Sequence, residues 1–414
     1  MVFRRPGDRM ILRGLIAIAL FAQLPLALAD EPQWLQDARA RESKPIAARK
    51  LKSMDGWLKA RVPAKAVGPI IKLEDSYSIK LDIGAASPIY CSVMIGDINL
   101  ADTLRRAADA TFTKLEAAKG KIENREIEKL DAGAYGEVPY IAVTWHYAAD
   151  GARGLMAGGI KQVAMTKNGV GMYCAHVDLG YVATFQAVTR ALAGSLETTS
   201  PRHAPYYQEI SAMSLGTTRC GVAFSTLTRD VKGGSIAREV TTLLLPGTQK
   251  NGISLDATHV EYIDSNARML SASHVTTSDG EVTNNLALNP KDGDWRVEGE
   301  MQGKHVSATL PKGAPPGTWV AQALELRKIL AAPDAAGSEH SIGLWASSDP
   351  GKLTLSKLKV LQKIDTVRYR AVGSTGTVNA NMTLDALTGR ASVTEIRIGP
   401  QQVGIERVHV SGSL

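Results

Sequence analysis

The apolar positions change period along the chain, and those changes mark out its elements. Leu100, Leu104, Ala108, Phe112 and Leu115 recur at helical spacing. They predict a helix that Asn99 can cap and Gly120 can end. Strand-like runs precede it at 70–73, 77–81 and 90–95, and four more follow near 121–130, 138–147, 159–166 and 169–177. Asn168-Gly169 carries the signal of a tight hairpin between the last two. A closing helix gathers Phe185, Val188, Leu192 and Leu196 on one side. Strands, a helix, an antiparallel meander and a helix predict an α+β domain over 67–200, an antiparallel sheet with two helices packed on it.

The pattern dissolves over 201–218, where Pro201, Pro205 and a run of polar residues read as a linker. From 219 to 414 the alternation is that of strand after strand, about ten of them. In 295–310 a turn at Gln302-Gly303 pairs Trp295 with Leu310, Val297 with Ala308 and Gly299 with Val306 on one face. The other face pairs Arg296 with Thr309, Glu298 with Ser307 and Glu300 with His305, which fixes the register. Asp279-Gly280 is a second turn signal. The apolar phase shifts between Val393 and Ile396 and again between Ile405 and Val408, as bulges would make it do. One helix, capped by Thr318 and striped by Trp319, Ala323, Leu326 and Leu330, interrupts the strands. The expectation is a mainly-β domain, a curled antiparallel sheet or barrel with one helix.

The first residues have another logic. Arg4, Arg5, Arg9 and Arg13 precede an apolar run over 14–28, and Ala27-Leu28-Ala29 has the small-x-small form of a cleavage site. Together they predict a secretory signal peptide at 1–29, cut before Asp30, too short for the ~20 apolar residues of a spanning helix. Pro6-Gly7-Asp8 after the arginine pair speaks against twin-arginine export. The expected location is periplasmic or secreted. Residues 30–66 are rich in Arg and Lys, and Ile46, Leu51, Met54, Trp57 and Leu58 fall near helical spacing, so a basic helical lead-in is expected. Such a helix over 33–61 could touch an anionic membrane surface, but Pro45 and Gly56 favour one docked on the following domain.

Composition narrows the function. Loss of the signal removes four arginines and Asp8, taking the formal charge from +7 to +4 over 385 residues, too mild for a nucleic-acid binder. Three cysteines, Cys91, Cys174 and Cys220, allow three pairings in an oxidising compartment. Cys91 with Cys174 is favoured because both lie in one predicted domain; buried free thiols are the alternative. The nucleophile elbow, zinc-protease, phosphate-loop and dinucleotide motifs are absent from the sequence. His146, and Cys174 with His176, lie on predicted strands without a third ligand at short spacing. Asp334, Ser338, Glu339, His340 and Ser341 read as a polar surface loop after the helix. No catalytic, cofactor or metal residue is assigned.

The element order over 67–200 resembles the PsbP-like/Mog-like fold, which implies partner docking or ligand binding more often than catalysis. The ending, 384–389 through Gly404-Ile405-Glu406-Arg407, resembles an uncharacterised periplasmic β-barrel family, similar in architecture to lipoprotein-carrier folds. No catalytic residues come with either resemblance. The expected function is therefore that of an exported envelope protein, leaning towards no enzymatic activity, that binds an apolar small molecule or lipid or docks an envelope partner. A periplasmic hydrolase of envelope polymers and a structural assembly factor are the alternatives.

Overall fold

The computed structural model describes residues 33–151, 154–199, 204–231, 233–246, 252–310, 316–376 and 378–414. The expected signal peptide lies outside them. Among the described residues no helix is long and apolar enough to cross a membrane.

The described residues open with a short helix, α1 (Gln33–Arg39), and a hairpin of β1 (Ala48–Lys52) and β2 (Leu58–Pro63), to which β11 (Glu197–Thr198) later adds. The expected basic helix over 30–66 is thus corrected to one short helix followed by strands. Leu58, Ala60 and Val62 are buried while Lys59 and Arg61 point to solvent. That period of two outweighs the approximate helical spacing, and Gly56 at φ 71° makes the turn.

An eight-stranded antiparallel sheet follows. It comprises β3 (Ala66–Val67), β4 (Ile71–Lys72), β5 (Ser76–Asp82), β6 (Ile89–Ile95), β7 (Lys121–Tyr135), β8 (Val138–Gly151), β9 (Gly154–Lys167) and β10 (Val170–Val177). Helices α2 (Leu100–Lys119) and α3 (Val182–Ser195) pack on opposite faces of it. Cys91 and Cys174 are direct cross-strand partners on the α3 face, 4.1 Å apart at Cα, and are joined by a disulfide; Cys220 is a buried free thiol.

Among the described residues, the rest of the chain forms one fourteen-stranded antiparallel sheet. Its strands are β12 (Tyr207–Leu215), β13 (Thr218–Arg229), β14 (Ser235–Leu245), β15 (Ile253–Ile263), β16 (Met269–Ser278), β17 (Glu281–Lys291), β18 (Asp294–Met301) and β19 (Lys304–Thr309). After helix α4 (Trp319–Ala331) come β20 (Glu339–Trp345), β21 (Leu353–Lys363), β22 (Arg368–Thr375), β23 (Val378–Asp385), β24 (Arg390–Ile398) and β25 (Gln401–Gly412). The spatial order runs from β19 back to β12, then β25 back to β20, so the first and last strands of the sheet are neighbours at its centre and β19 and β20 are its edge strands. The sheet is curled but not closed into a barrel. Instead Trp345 on β20 packs on Met269, Ala272, Leu286, Leu288 and Val297, and α4 lies between the two halves. Trp319 and Val320 of α4 meet Tyr207, Leu227 and Ala237, while Leu326 and Leu330 meet Leu358, Val360 and Tyr369. The segment expected as linker thus contains β12, a central strand. Gln208, Glu209 and Ser211 are buried in it, so both its faces are covered despite a polar sequence.

The other face of β12–β15 is covered by the first half of the molecule. Ile210, Val222, Phe224, Val240 and Leu244 share a core with Leu100, Leu104, Phe112 and Trp145. Helix α2 is capped across this junction. Asn99 makes no side-chain cap bond; the Ala101 N–H donates to Thr242 Oγ1 (3.1 Å), whose hydroxyl donates to Asp256 Oδ1 (2.5 Å). Arg105 adds bonds to Asp102 (2.9 Å) and to the Asp279 carbonyl (2.7 Å) at the β16–β17 turn.

Candidate functional site

The face of the long sheet that α2 and β7 cover on β12–β15 is left bare on β20–β25. There it forms a trough of about 1300 Å³. Residues in register on neighbouring strands share a face, so the walls follow from the pairing. One wall is a row of Ser341, Lys357, Ser374 and Asn379 on β20 to β23. The pairing of Ala380 with Ile396 sets Arg397 opposite Asn379, and Gln402 pairs with Arg397. The second wall is Glu339, Lys359, Val372, Asn381 and Glu395. Between them His340, Leu358, Gly373, Ala380 and Ile396 turn their side chains to the α4 face, so the floor is peptide backbone.

The charges of the two walls differ. Lys359 pairs with Glu339 at 2.9 Å and holds that carboxyl below its ordinary pKa, with Lys357 adding a weaker attraction. Arg397 has no ion-pair partner among the described residues. The first wall carries two cations, two hydroxyls and two amides and no carboxylate; the second carries Glu339, already paired, and Glu395. No Phe, Tyr or Trp lines the trough among the described residues.

Behind this sheet, under α4, lies a buried ionic cluster. Arg390 binds Glu209 (2.9 Å), Glu239 (3.2 Å) and the Ser225 hydroxyl (3.1 Å), and its guanidinium stacks 4.4 Å from the Trp319 ring. Glu209 also accepts from the Tyr207 hydroxyl at 2.6 Å. Burial opposes the charge of Arg390, but Glu209 and Glu239 outweigh it and hold its pKa above the ordinary value. Next to it His259 pairs with Glu261 (3.2 Å) and stands opposite His274, whose pKa burial lowers to about 4. The cluster ties α4 to the sheet: every charge in it except the half-exposed Glu239 is largely withdrawn from water.

The residues singled out in the sequence fall elsewhere. His146 lies between Arg39 (2.6 Å) and Glu128 (2.9 Å) on the first sheet. His176 faces the Ser87 carbonyl at 3.1 Å, and burial lowers its pKa to about 4. Among the described residues no three His, Cys, Asp or Glu converge as metal ligands would. The expected polar loop over 338–341 is corrected in part: Glu339 and Ser341 open strand β20 and line the trough, whereas His340 turns to the other face and meets Glu325 of α4 at 3.4 Å. Asp334 does not join them. No signal short of the complete strand register picks out the other wall residues.

No family model matches the chain, and no curated protein matches it. Among solved structures, it is similar to a β-barrel-like protein of domain of unknown function DUF1849 from Brucella abortus. The identity is 11%, over 50% of this chain and 96% of that one, with a TM-score of 0.36. It is also similar to a DUF1089 family protein from Pseudomonas aeruginosa, at 13% identity over 41% of this chain and 87% of that one, with a TM-score of 0.25.

Proposed function

We propose that this is an exported envelope protein that binds a polar, extended ligand in the trough across β20–β25. The trough itself carries the reading. About 1300 Å³ of open space is walled by exposed amides, hydroxyls and charges from six neighbouring strands. Export is supported by the basic and apolar pattern of 1–29 and suits a chain with a Cys91–Cys174 bond, which an oxidising compartment preserves. A bound lipid, the other ligand expected from the sequence, would need an apolar cavity. The apolar face of the long sheet is already filled by α4 and Trp345.

Native mass spectrometry of the protein recovered from the envelope, beside Ser374→Trp and Asn381→Trp variants that fill the trough, tests this. A polar species carried by the parent and lost from both variants is expected. A lipid retained by all three, or a protein that keeps residues 1–29 and stays in the cytoplasm, would overturn the proposal.

A further inference from the structure

The two walls of the trough are not equivalent, and their difference selects the ligand. We infer that the trough receives an extended acidic segment of a partner protein, laid across the strands from β21 to β24; this rests on the trough being the binding site. The row Ser341, Lys357, Ser374, Asn379, Arg397 and Gln402 offers hydrogen-bond donors on six successive strands with no carboxylate among them. Strands stand ~4.8 Å apart, so Lys357 on β21 and Arg397 on β24, three spacings away, hold positive charge roughly 14 Å apart. Lys357 makes only a longer-range attraction to Glu339, and Arg397 makes no ion pair among the described residues. Two cations separated in this way fit two acidic groups on one extended chain better than a single compact anion. The donors between them suit the carbonyl groups of a polypeptide main chain.

The opposite wall completes the match. Asn381 and Glu395 present acceptors there, and Glu339 is neutralised by Lys359. A polypeptide has N–H donors along its other edge for those acceptors. An acidic polysaccharide would also satisfy the cations, but sugar rings bind best where aromatic faces lie beneath them. The floor here is bare backbone at Gly373 and Ala380, with no aromatic side chain lining the trough among the described residues. A strand added at the β20 edge would run parallel to the strands, whereas the rows run across them.

Fluorescence anisotropy of a labelled decaglutamate peptide, against decaglutamine and with polygalacturonate as competitor, is the test. The protein should bind decaglutamate at low salt and not decaglutamine, and binding should weaken as salt rises. Lys357→Gln with Arg397→Gln should weaken it about ten-fold, as expected for two exposed ion pairs, with the circular dichroism melt unchanged. Lys304→Gln, an exposed lysine on β19, should have no effect. Polygalacturonate that binds and is lost in Ser374→Trp, where decaglutamate does not bind, would sink the peptide inference and leave the trough reading standing. Decaglutamate binding that survives both Ser374→Trp and the double variant would overturn both.

Discussion

Replacing Asp256 by Asn should stabilise the protein at neutral pH and hardly change it in acid. The Asp256 carboxyl is buried behind Thr242 at the N-terminal end of α2, and burial lifts its pKa from 3.8 to about 6. The folded protein therefore holds this proton more tightly than the unfolded chain does. The contribution to stability is complete below pH 3.8 and is lost as pH rises through 6, so the charged form is a liability at pH 7 and above. At ~1.4 kcal/mol per tenfold difference in proton affinity the loss is about 3 kcal/mol at pH 8 and about 1 kcal/mol near pH 4.5. Asparagine keeps an oxygen for the Thr242 hydroxyl (2.5 Å in the parent) without the charge. Urea unfolding followed by tryptophan fluorescence should show the gain at pH 8 shrinking toward pH 4.5. Thr242→Val, which removes the acceptor of the Ala101 N–H, should cost about 0.5–2 kcal/mol as a lost cap. A D256N protein less stable than the parent at pH 8 would refute the reasoning. It would mean that the α2 N-terminus favours the anion more than burial disfavours it.

Two further outcomes follow from the packing. Cys91→Ala with Cys174→Ala opens a covalent loop spanning 83 positions, worth about 4–5 kcal/mol on the chain-entropy account. The melting temperature should fall sharply, to the value the parent shows in reductant, while Cys220→Ala should keep its sensitivity to reductant. Arg390→Leu leaves Glu209, only 4% exposed, with the Tyr207 hydroxyl as its remaining partner, and should cost about 3–5 kcal/mol in urea unfolding; adding Glu209→Gln should recover part of that. A single variant within 1 kcal/mol of the parent would show that water reaches the cluster.

The parts of the fold that the sequence declares are those set by neighbours along the chain. The hairpin of β18 and β19 has the pairs its alternation requires, from Arg296 with Thr309 to Glu300 with His305. Its turn residues, Gln302 and Gly303, take the positive φ that a two-residue hairpin needs. The phase shift on β25 is a bulge at Arg407–His409 opposite Ile210, and that on β24 falls at Ala391–Val393, slightly earlier than the apolar pattern suggests. Where partners come from far away, the local pattern misleads. Strands β1 and β2 look helical because Leu51, Met54 and Leu58 happen to fall near helical spacing, although Met54 is fully exposed in the turn. Strand β12 looks like a linker because the cation that neutralises its buried Glu209 is Arg390, far along the chain. The α2 cap belongs to Thr242, a residue of β14 with nothing in its own neighbourhood to mark it.

The trough was hidden for a related reason, and that reason strengthens its reading as a surface kept for a ligand. One face of a single continuous sheet changes character along its width. On β12–β14 it carries Ile210, Val222, Phe224 and Val240, which α2 and its neighbours bury. On β20–β24 the same face carries Lys357, Ser374, Asn379, Asn381 and Arg397. Each of these, taken alone, is an ordinary solvent-facing strand residue, and an antiparallel sheet with one wet face needs no further explanation. Chance would intersperse both charge signs there, as on most soluble surfaces. The wall from Ser341 to Gln402 instead excludes carboxylates over six strands, while Glu339 and Glu395 stand on the other wall together with Lys359. A row free of carboxylates, drawn from six strands, can be kept apart from its neighbour only through the register of the whole half-sheet. A one-residue slip at any pairing between β20 and β25 would carry the wall residues beyond it to the α4 face and dismantle the arrangement.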